Sequence, residues 1–167
     1  MVTPSIITLL ITALASALIA GLLYAYACSV NPGLNRLSDS AYLAAMQSIN
    51  QAILNPVFFF SFLGTLVLLP VSSWLHYEQP VSLRFWCLLG ATLTYAIGVF
   101  GVTMFGNVPL NNMLESADLG TLSPSAMSEL RTRFELSWNR FHTVRTLAAV
   151  LTQILVLIAV LNPRSTT

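Results

Sequence analysis

The sequence predicts an all-α integral membrane protein built as a four-helix bundle, and three observations predict it. Hydrophobic residues fill 56% of the 167 positions and charged residues only 8%, against roughly 25% charged in an ordinary soluble domain. Four apolar runs approach or reach the roughly 20 residues that cross a bilayer core. Backbone polar groups in lipid have no water to bond, so such runs must be helical. The length suits a single membrane domain over residues 1–167.

The first predicted span covers residues 6–28, with no charge before Arg36. It lacks a positive leading segment and is longer than a signal-peptide core, so it reads as a retained span. In the next connection, Tyr42, Met46, Ile49 and Ile53 recur at helical spacing after a capping candidate, Asp39 or Ser40. Pro56 then starts or kinks the second span, residues 57–75, which is interrupted only by Pro70. The third span covers residues 85–105.

Ser123 before Pro124 reads as an N-cap followed by a proline at the first helical position. From there Met127, Leu130, Phe134, Trp138 and Phe141 form an apolar stripe running into the fourth span, residues 141–161. Nothing breaks the pattern over residues 124–161, which implies one helix about 57 Å long at 1.5 Å per residue. Helices 2 and 4 are thus expected to be extended by amphipathic segments at one end of the bundle.

Four spans put residues 74–84 on one side, side A, and the connections 29–56 and 106–145 on the other, side B. Arg36, Arg131, Arg133, Arg140 and Arg145 fall on side B, Arg84 and Arg164 on side A. The positive-inside rule therefore assigns side B to the cytoplasm.

The halves resemble each other. At an offset of 77, Gly21, Pro32, Asn35 and Leu37 match Gly98, Pro109, Asn112 and Leu114. Asn50 and Asn139 each precede an apolar segment by six residues, at Pro56 and Arg145, which requires a 12-residue insertion in the second half. Shared span-and-turn grammar is the simpler reading. A true two-fold internal repeat would make the halves parallel, related by an axis along the membrane normal, with a natural pocket between them.

Much chemistry is excluded. With a net charge of +1 and no lysine, no basic patch exists to neutralise phosphates, so nucleic acid is not a partner. Cys28 and Cys87 lie at opposite ends of the spans, too far apart for a disulfide, and read as small buried apolar residues. His76 and His142 are likewise on opposite sides. No metal-binding motif, phosphate loop or dinucleotide fingerprint appears, so no metal and no cofactor are expected. The expected partners are the lipid bilayer and a small aromatic or apolar ligand, and homo-oligomers stay compatible with this composition.

The remaining polar residues gather at side B. The segment 106–112 supplies Asn107, Asn111 and Asn112, amides that are costly to leave in lipid unpaired. Trp138, His142 and Arg145 share a helix face at spacings of four and three, with Asn139 at its edge. Arg145 is followed by 18 residues without charge, so it either snorkels or faces a polar cavity. His142 suits an acid/base role or an interfacial hydrogen bond equally. Asn50 and Asn55, with Tyr24 and Tyr26, are candidates for the same cavity, although aromatics at this depth are ordinarily belt anchors.

Taken together, 46-Met-Gln-Ser-Ile-Asn-50, Asn55-Pro56, 107-Asn-Val-Pro-Leu-Asn-111 and Trp138-Asn139 with His142 and Arg145 resemble the anthrone oxygenase-like family of four-span membrane proteins. The resemblance spans nearly the whole chain. It implies an oxygenase or oxidase of a small aromatic, anthrone- or phenol-like substrate that works without metal or flavin. His142 would be the base. Arg145 would stabilise an oxyanion with the amides of Asn50, Asn55, Asn107, Asn111 and Asn139, and Trp138 would line the site. The competing expectation is a non-enzymatic membrane protein that binds a lipid or small anion through Arg145, or an assembly partner.

The sidedness is directly testable. With Cys28 and Cys87 replaced by serine, a cysteine at Glu78 should react with a membrane-impermeant maleimide on intact cells, and one at Asp118 only after lysis. The reverse pattern would invert the orientation.

Overall fold

A computed structural model describes residues 3–162, and among these every regular element is helical. Arg164, counted above for side A, lies outside the described residues. Five helices occur in order: α1 (Pro4–Leu34), α2 (Asp39–Ala52), α3 (Pro56–Leu75), α4 (Leu83–Glu115) and α5 (Pro124–Leu161). All but α2 are long and apolar enough to cross a membrane.

The helix starts obey capping chemistry. Thr3, Asn55, Ser82 and Ser123 each accept a hydrogen bond from a first-turn amide of α1, α3, α4 and α5, and prolines 4, 56 and 124 open three of these helices. A proline there forfeits no bond, because first-turn amides have no partner within the helix. The cap of α2 is Ser38, which accepts from the Ala41 amide at 3.4 Å, and not Asp39 or Ser40 as expected. Asp39 in the first turn is instead held by Arg131 at 3.0 Å.

As expected, α5 is one uninterrupted helix of 38 residues. The amphipathic segment before the second span is also present, but as a separate helix, because Asn55 leaves helical geometry (φ −127°, ψ 159°) to cap α3. Beyond expectation, the first and third spans continue as helix well past residues 28 and 105. Each does so through a π-helical turn, Tyr26–Val30 and Thr103–Asn107, and α4 has another at Tyr95–Gly101. The first two turns stand at the 77-residue offset seen in the sequence, with Tyr26 matching Thr103 and Val30 matching Asn107. The third, at Tyr95–Gly101, has no such counterpart, since residues 18–24 of α1 are ordinary α-helix.

In the bundle, α1 and α4 each pack on both α3 and α5. The membrane core joins Ile19, Phe62, Leu69, Tyr95, Val99 and Val156. Interhelical hydrogen bonds tie the spans: Thr12 with Ser72 (2.7 Å), Ser16 to Gln153 (2.7 Å) and the Tyr95 hydroxyl to the Phe62 carbonyl (2.8 Å). A second core caps side B, where Tyr42, Leu43 and Met46 of α2 meet Leu114, Phe134 and Trp138. Arg131 fastens this cap. It donates to Asp39, Glu135 and the carbonyls of Asn35 and Leu37, and its guanidinium lies 4.4 Å from the Tyr42 ring centre. Burial first, then the Glu135 carboxylate, pushes the Tyr42 phenol up, so it meets the guanidinium as a neutral ring. Cys87 is buried as expected, whereas Cys28 is exposed because its position in the π turn faces outward.

The repeat-related glycines Gly21 and Gly98 differ in surroundings. A Cβ at Gly98 would lie 2.6 Å from the Ala148 Cβ, whereas one at Gly21 would meet nothing within 4 Å. Gly98→Ala should therefore force α4 from α5 and cost about 1–3 kcal/mol, while Gly21→Ala should be neutral or slightly stabilising. Thermal unfolding of both variants in detergent checks the contrast, and equal melting temperatures would contradict it.

Candidate functional site

The side-B ends of α1, α2, α4 and α5, with the first turn of α3, enclose a cavity of about 160 Å³ that is open at its mouth. Its wall is mainly apolar: Leu22, Leu23, Ile49, Ile53, Leu54, Phe58, Phe59 and Val108, with the aromatic faces of Tyr26 and Trp138. Four polar residues break that surface, namely Asn50, Thr103, Asn111 and Arg145. A second cleft of about 290 Å³ shares Asn50 and Asn111 and runs to Gln51, Asn112 and Glu115. There the Gln51 amide donates to the Glu115 carboxylate at 2.6 Å, tying α2 to α4.

Trp138 organises the site. Its ring stacks on His142 (centroids 5.0 Å apart, 13° between planes) and meets Tyr26 at 5.6 Å. Its Nε1–H donates to Asn111 Oδ1 at 2.8 Å, and its carbonyl accepts from Asn107 Nδ2 at 3.2 Å. The Arg145 guanidinium lies 5.0 Å from the indole centre. The helix periodicity that put Trp138, His142 and Arg145 on one face therefore becomes a stack of indole, imidazole and guanidinium.

His142 is only 1% exposed and stands behind Arg145 instead of in the cavity wall. Arg145 Nε donates to His142 Nδ1 at 3.2 Å, and Nη2 lies 3.1 Å from the same nitrogen. A guanidinium only donates, so Nδ1 carries the lone pair and the neutral ring holds its proton on Nε2. Nε2 lies 3.4 Å from the Thr146 hydroxyl. Arg131 pairs with Asp39 and Glu135, whereas no carboxylate among the described residues pairs with Arg145. The half-buried cation at the cavity wall is thus held by neutral groups that leave its charge uncancelled.

The expected residues divide into three groups. Asn50, Asn111, Trp138 and Arg145 line one cavity. His142 and Asn107 are buried directly behind it. Asn55 and Asn139 are committed elsewhere: Asn55 caps α3 by accepting from Phe58 N at 3.0 Å, and Asn139 Oδ1 accepts from Asn31 Nδ2 at 2.9 Å. Two amide atoms in this region have no hydrogen-bond partner, Asn50 Nδ2 and Asn107 Oδ1. Of the paired tyrosines, Tyr26 enters the wall, while Tyr24 is exposed. The contributions of Phe58, Phe59 and Thr103 were not singled out by sequence, because aromatics and threonine in an apolar run carry no signal that separates a cavity wall from a lipid face. Among the described residues no three of His, Cys, Asp and Glu cluster in a way that could hold a metal ion.

Four helices long and apolar enough to span a bilayer, with a cavity at one end lined by apolar side chains, two amides and an arginine without a carboxylate partner, are the features of a multi-pass membrane protein. The chain belongs to the anthrone oxygenase family, whose profile matches residues 57–155, more than half of the sequence. The match takes in Thr103, Asn111, Trp138 and Arg145, and stops short of Tyr26 and Asn50. No curated protein and no solved structure matches the chain.

Trp138→Phe keeps an aromatic stack on His142 and removes the donor to Asn111. It should lower stability by about 1 kcal/mol, seen as a reduced melting temperature in detergent, and Asn111→Ala in that background should cost little more. Fully additive losses would show that the indole–amide bond contributes nothing.

Proposed function

We propose that the protein is a membrane-embedded, cofactor-independent oxygenase of a small aryl ketone or phenol, with an anthrone as the type substrate. The observation that carries this reading is the Arg145 guanidinium, set in an apolar wall against Trp138 with no carboxylate partner. Such a cation favours an anion formed inside the site over the neutral molecule that entered it. An anthrone becomes that anion by losing a proton from the methylene opposite its carbonyl. The electron-rich anion reacts with dioxygen directly. Overall the methylene carbon loses two hydrogens and gains one oxygen atom, and the second oxygen atom leaves as water.

In this scheme Arg145 and the Asn50 and Asn111 amides hold the developing oxyanion, and the aromatic wall holds the flat rings. His142 takes the proton. Its Nδ1 lone pair is covered by Arg145 and becomes free when the guanidinium turns to the oxyanion. Asn107 supports Trp138 through its carbonyl. Asn55 and Asn139, bonded within the scaffold, act on the position of helices and not on the substrate. Side B would face the cytoplasm. The second reading, binding of a lipid headgroup or small anion without chemistry, draws on the same unpaired cation.

Oxygen consumption by the protein in lipid nanodiscs, with anthrone as substrate and the uncatalysed rate subtracted, tests the proposal. His142→Ala should lower kcat by about a hundredfold or more with KM little changed, as expected when a base acts only in the chemical step. His142→Gln offers an acceptor to Arg145 but no base; full recovery would reduce His142 to a positioning residue. Arg145→Lys should lose at least about tenfold, because a point charge cannot reproduce the planar fork. His76→Ala, at the opposite end, should leave turnover unchanged. Absence of catalysed oxygen uptake with anthrone and hydroquinone substrates would leave the binding reading in its place.

A further inference from the structure

Two joints between the halves correspond under the offsets that relate them. The 77-residue offset carries Asn31 onto Val108, and the 89-residue offset that relates Arg145 to Pro56 carries Asn139 onto Asn50. At the first joint the end of α1 meets α5, and Asn31 Nδ2 donates to Asn139 Oδ1 at 2.9 Å. At the second joint the end of α4 meets α2. There Val108 stands where Asn31 would be and offers Asn50 Oδ1, the counterpart of the Asn139 acceptor, no donor to fix the amide plane. Asn50 also carries a buried Nδ2 that has no hydrogen-bond partner. Both Val108 and Asn50 line the cavity.

We infer that the cavity is the opened member of this pair of joints, and that Asn50 Nδ2 is a binding donor for a carbonyl or enolate oxygen of the ligand. The ligand class rests on the aryl-ketone reading above; the joint itself does not. An amide plane turns easily about its terminal torsion, so a half-turn presents Nδ2 to the opening. The neighbouring polar groups select the same chemistry. Arg145 can only donate, and Asn111 Oδ1 is already taken by the Trp138 N–H, which leaves that side chain its amide donors. A site rich in donors and poor in free acceptors favours a ligand that presents oxygen lone pairs. The cation is one-sided for the same reason as the amide: the repeat counterpart of Arg145 is Pro56.

Val108→Asn would rebuild at the second joint the pair found at the first. The variants are made with Trp74 and Trp86 replaced by phenylalanine, both being exposed, so that Trp138 reports alone. Binding of 1,8-dihydroxyanthraquinone in nanodiscs is monitored by quenching of Trp138, and thermal unfolding is measured in parallel. Val108→Asn should raise the melting temperature and weaken binding by about tenfold or more, since the new amide would donate to Asn50 Oδ1, keep Nδ2 from turning to the opening and fill part of the cavity. Asn50→Ala should weaken binding by about tenfold without that stabilisation. Asn31→Val should lower the melting temperature and leave binding within about twofold, because its joint is closed. Unchanged binding in both Val108→Asn and Asn50→Ala would overturn the assignment of Asn50. Unchanged or lowered stability in Val108→Asn would overturn the equivalence of the joints. If the wild type failed to bind the probe while Val108→Asn was stabilised, the aryl-ketone reading would fail and the joint would stand.

Discussion

The indole of Trp138 is the contact on which the rest of the side-B architecture depends. It sits where the membrane core ends and the cap core begins, stacked between Phe134 of the cap and His142 of the bundle. Each aromatic pair adds about 0.5–1.5 kcal/mol beyond its burial. The decisive consequence is electrostatic. A buried arginine is normally neutralised by a carboxylate, but Arg145 rests instead on the indole face and the imidazole lone pair. These neutral partners orient the guanidinium without cancelling its charge, so its field stays directed at the cavity.

The π turns give that arrangement its geometry. An i→i+5 turn widens the helix by one residue and shifts the register of the turns beyond it. The turn beginning at Tyr26 coincides with the entry of that ring into the cavity wall, and the turn at Thr103–Asn107 sets Thr103 in the wall and Asn107 behind it. Pro32 and Pro109 come directly after these turns. Their missing N–H groups fall where the ladder of hydrogen bonds is already out of register, so the helices continue where proline would otherwise end them. The device recurs at the same offset in both halves, whereas the π turn at Tyr95–Gly101 stands in the second half alone.

The spans, the Ser123–Pro124 start and the long α5 were legible because length, capping and 3.6-residue periodicity act locally. The stack of Trp138, His142 and Arg145 was legible for the same reason. The continuation of α1 and α4 was not, because 28-Cys-Ser-Val-Asn-Pro-Gly-33 carries the residues of a turn and the π register that tolerates them has no composition of its own. The separation of the amides was equally hidden. Asn50, Asn55, Asn107, Asn111 and Asn139 all occupy span boundaries, yet only Asn50 and Asn111 reach the cavity wall. What distinguishes Asn139 from Asn50 is Asn31 on a different helix, a partner more than 100 residues away in the chain that no local pattern reveals.

The site has a polarity gradient that suits the proposed chemistry. Leu22, Phe58 and Phe59 form the apolar part of the wall, while the adjoining cleft ends at Gln51, Asn112 and Glu115. A neutral aromatic ketone passes apolar surfaces with little loss of hydration, whereas a preformed anion would be strongly disfavoured there. The charge is therefore best created after entry, beside Arg145, where low polarity strengthens the attraction that aqueous solvent would screen. An arginine already paired with a carboxylate could not provide this, because the newborn anion would have to displace an equal charge. On the proposed reading, placing the cation on an indole instead of an acid lets the same wall admit a neutral molecule and hold its anion.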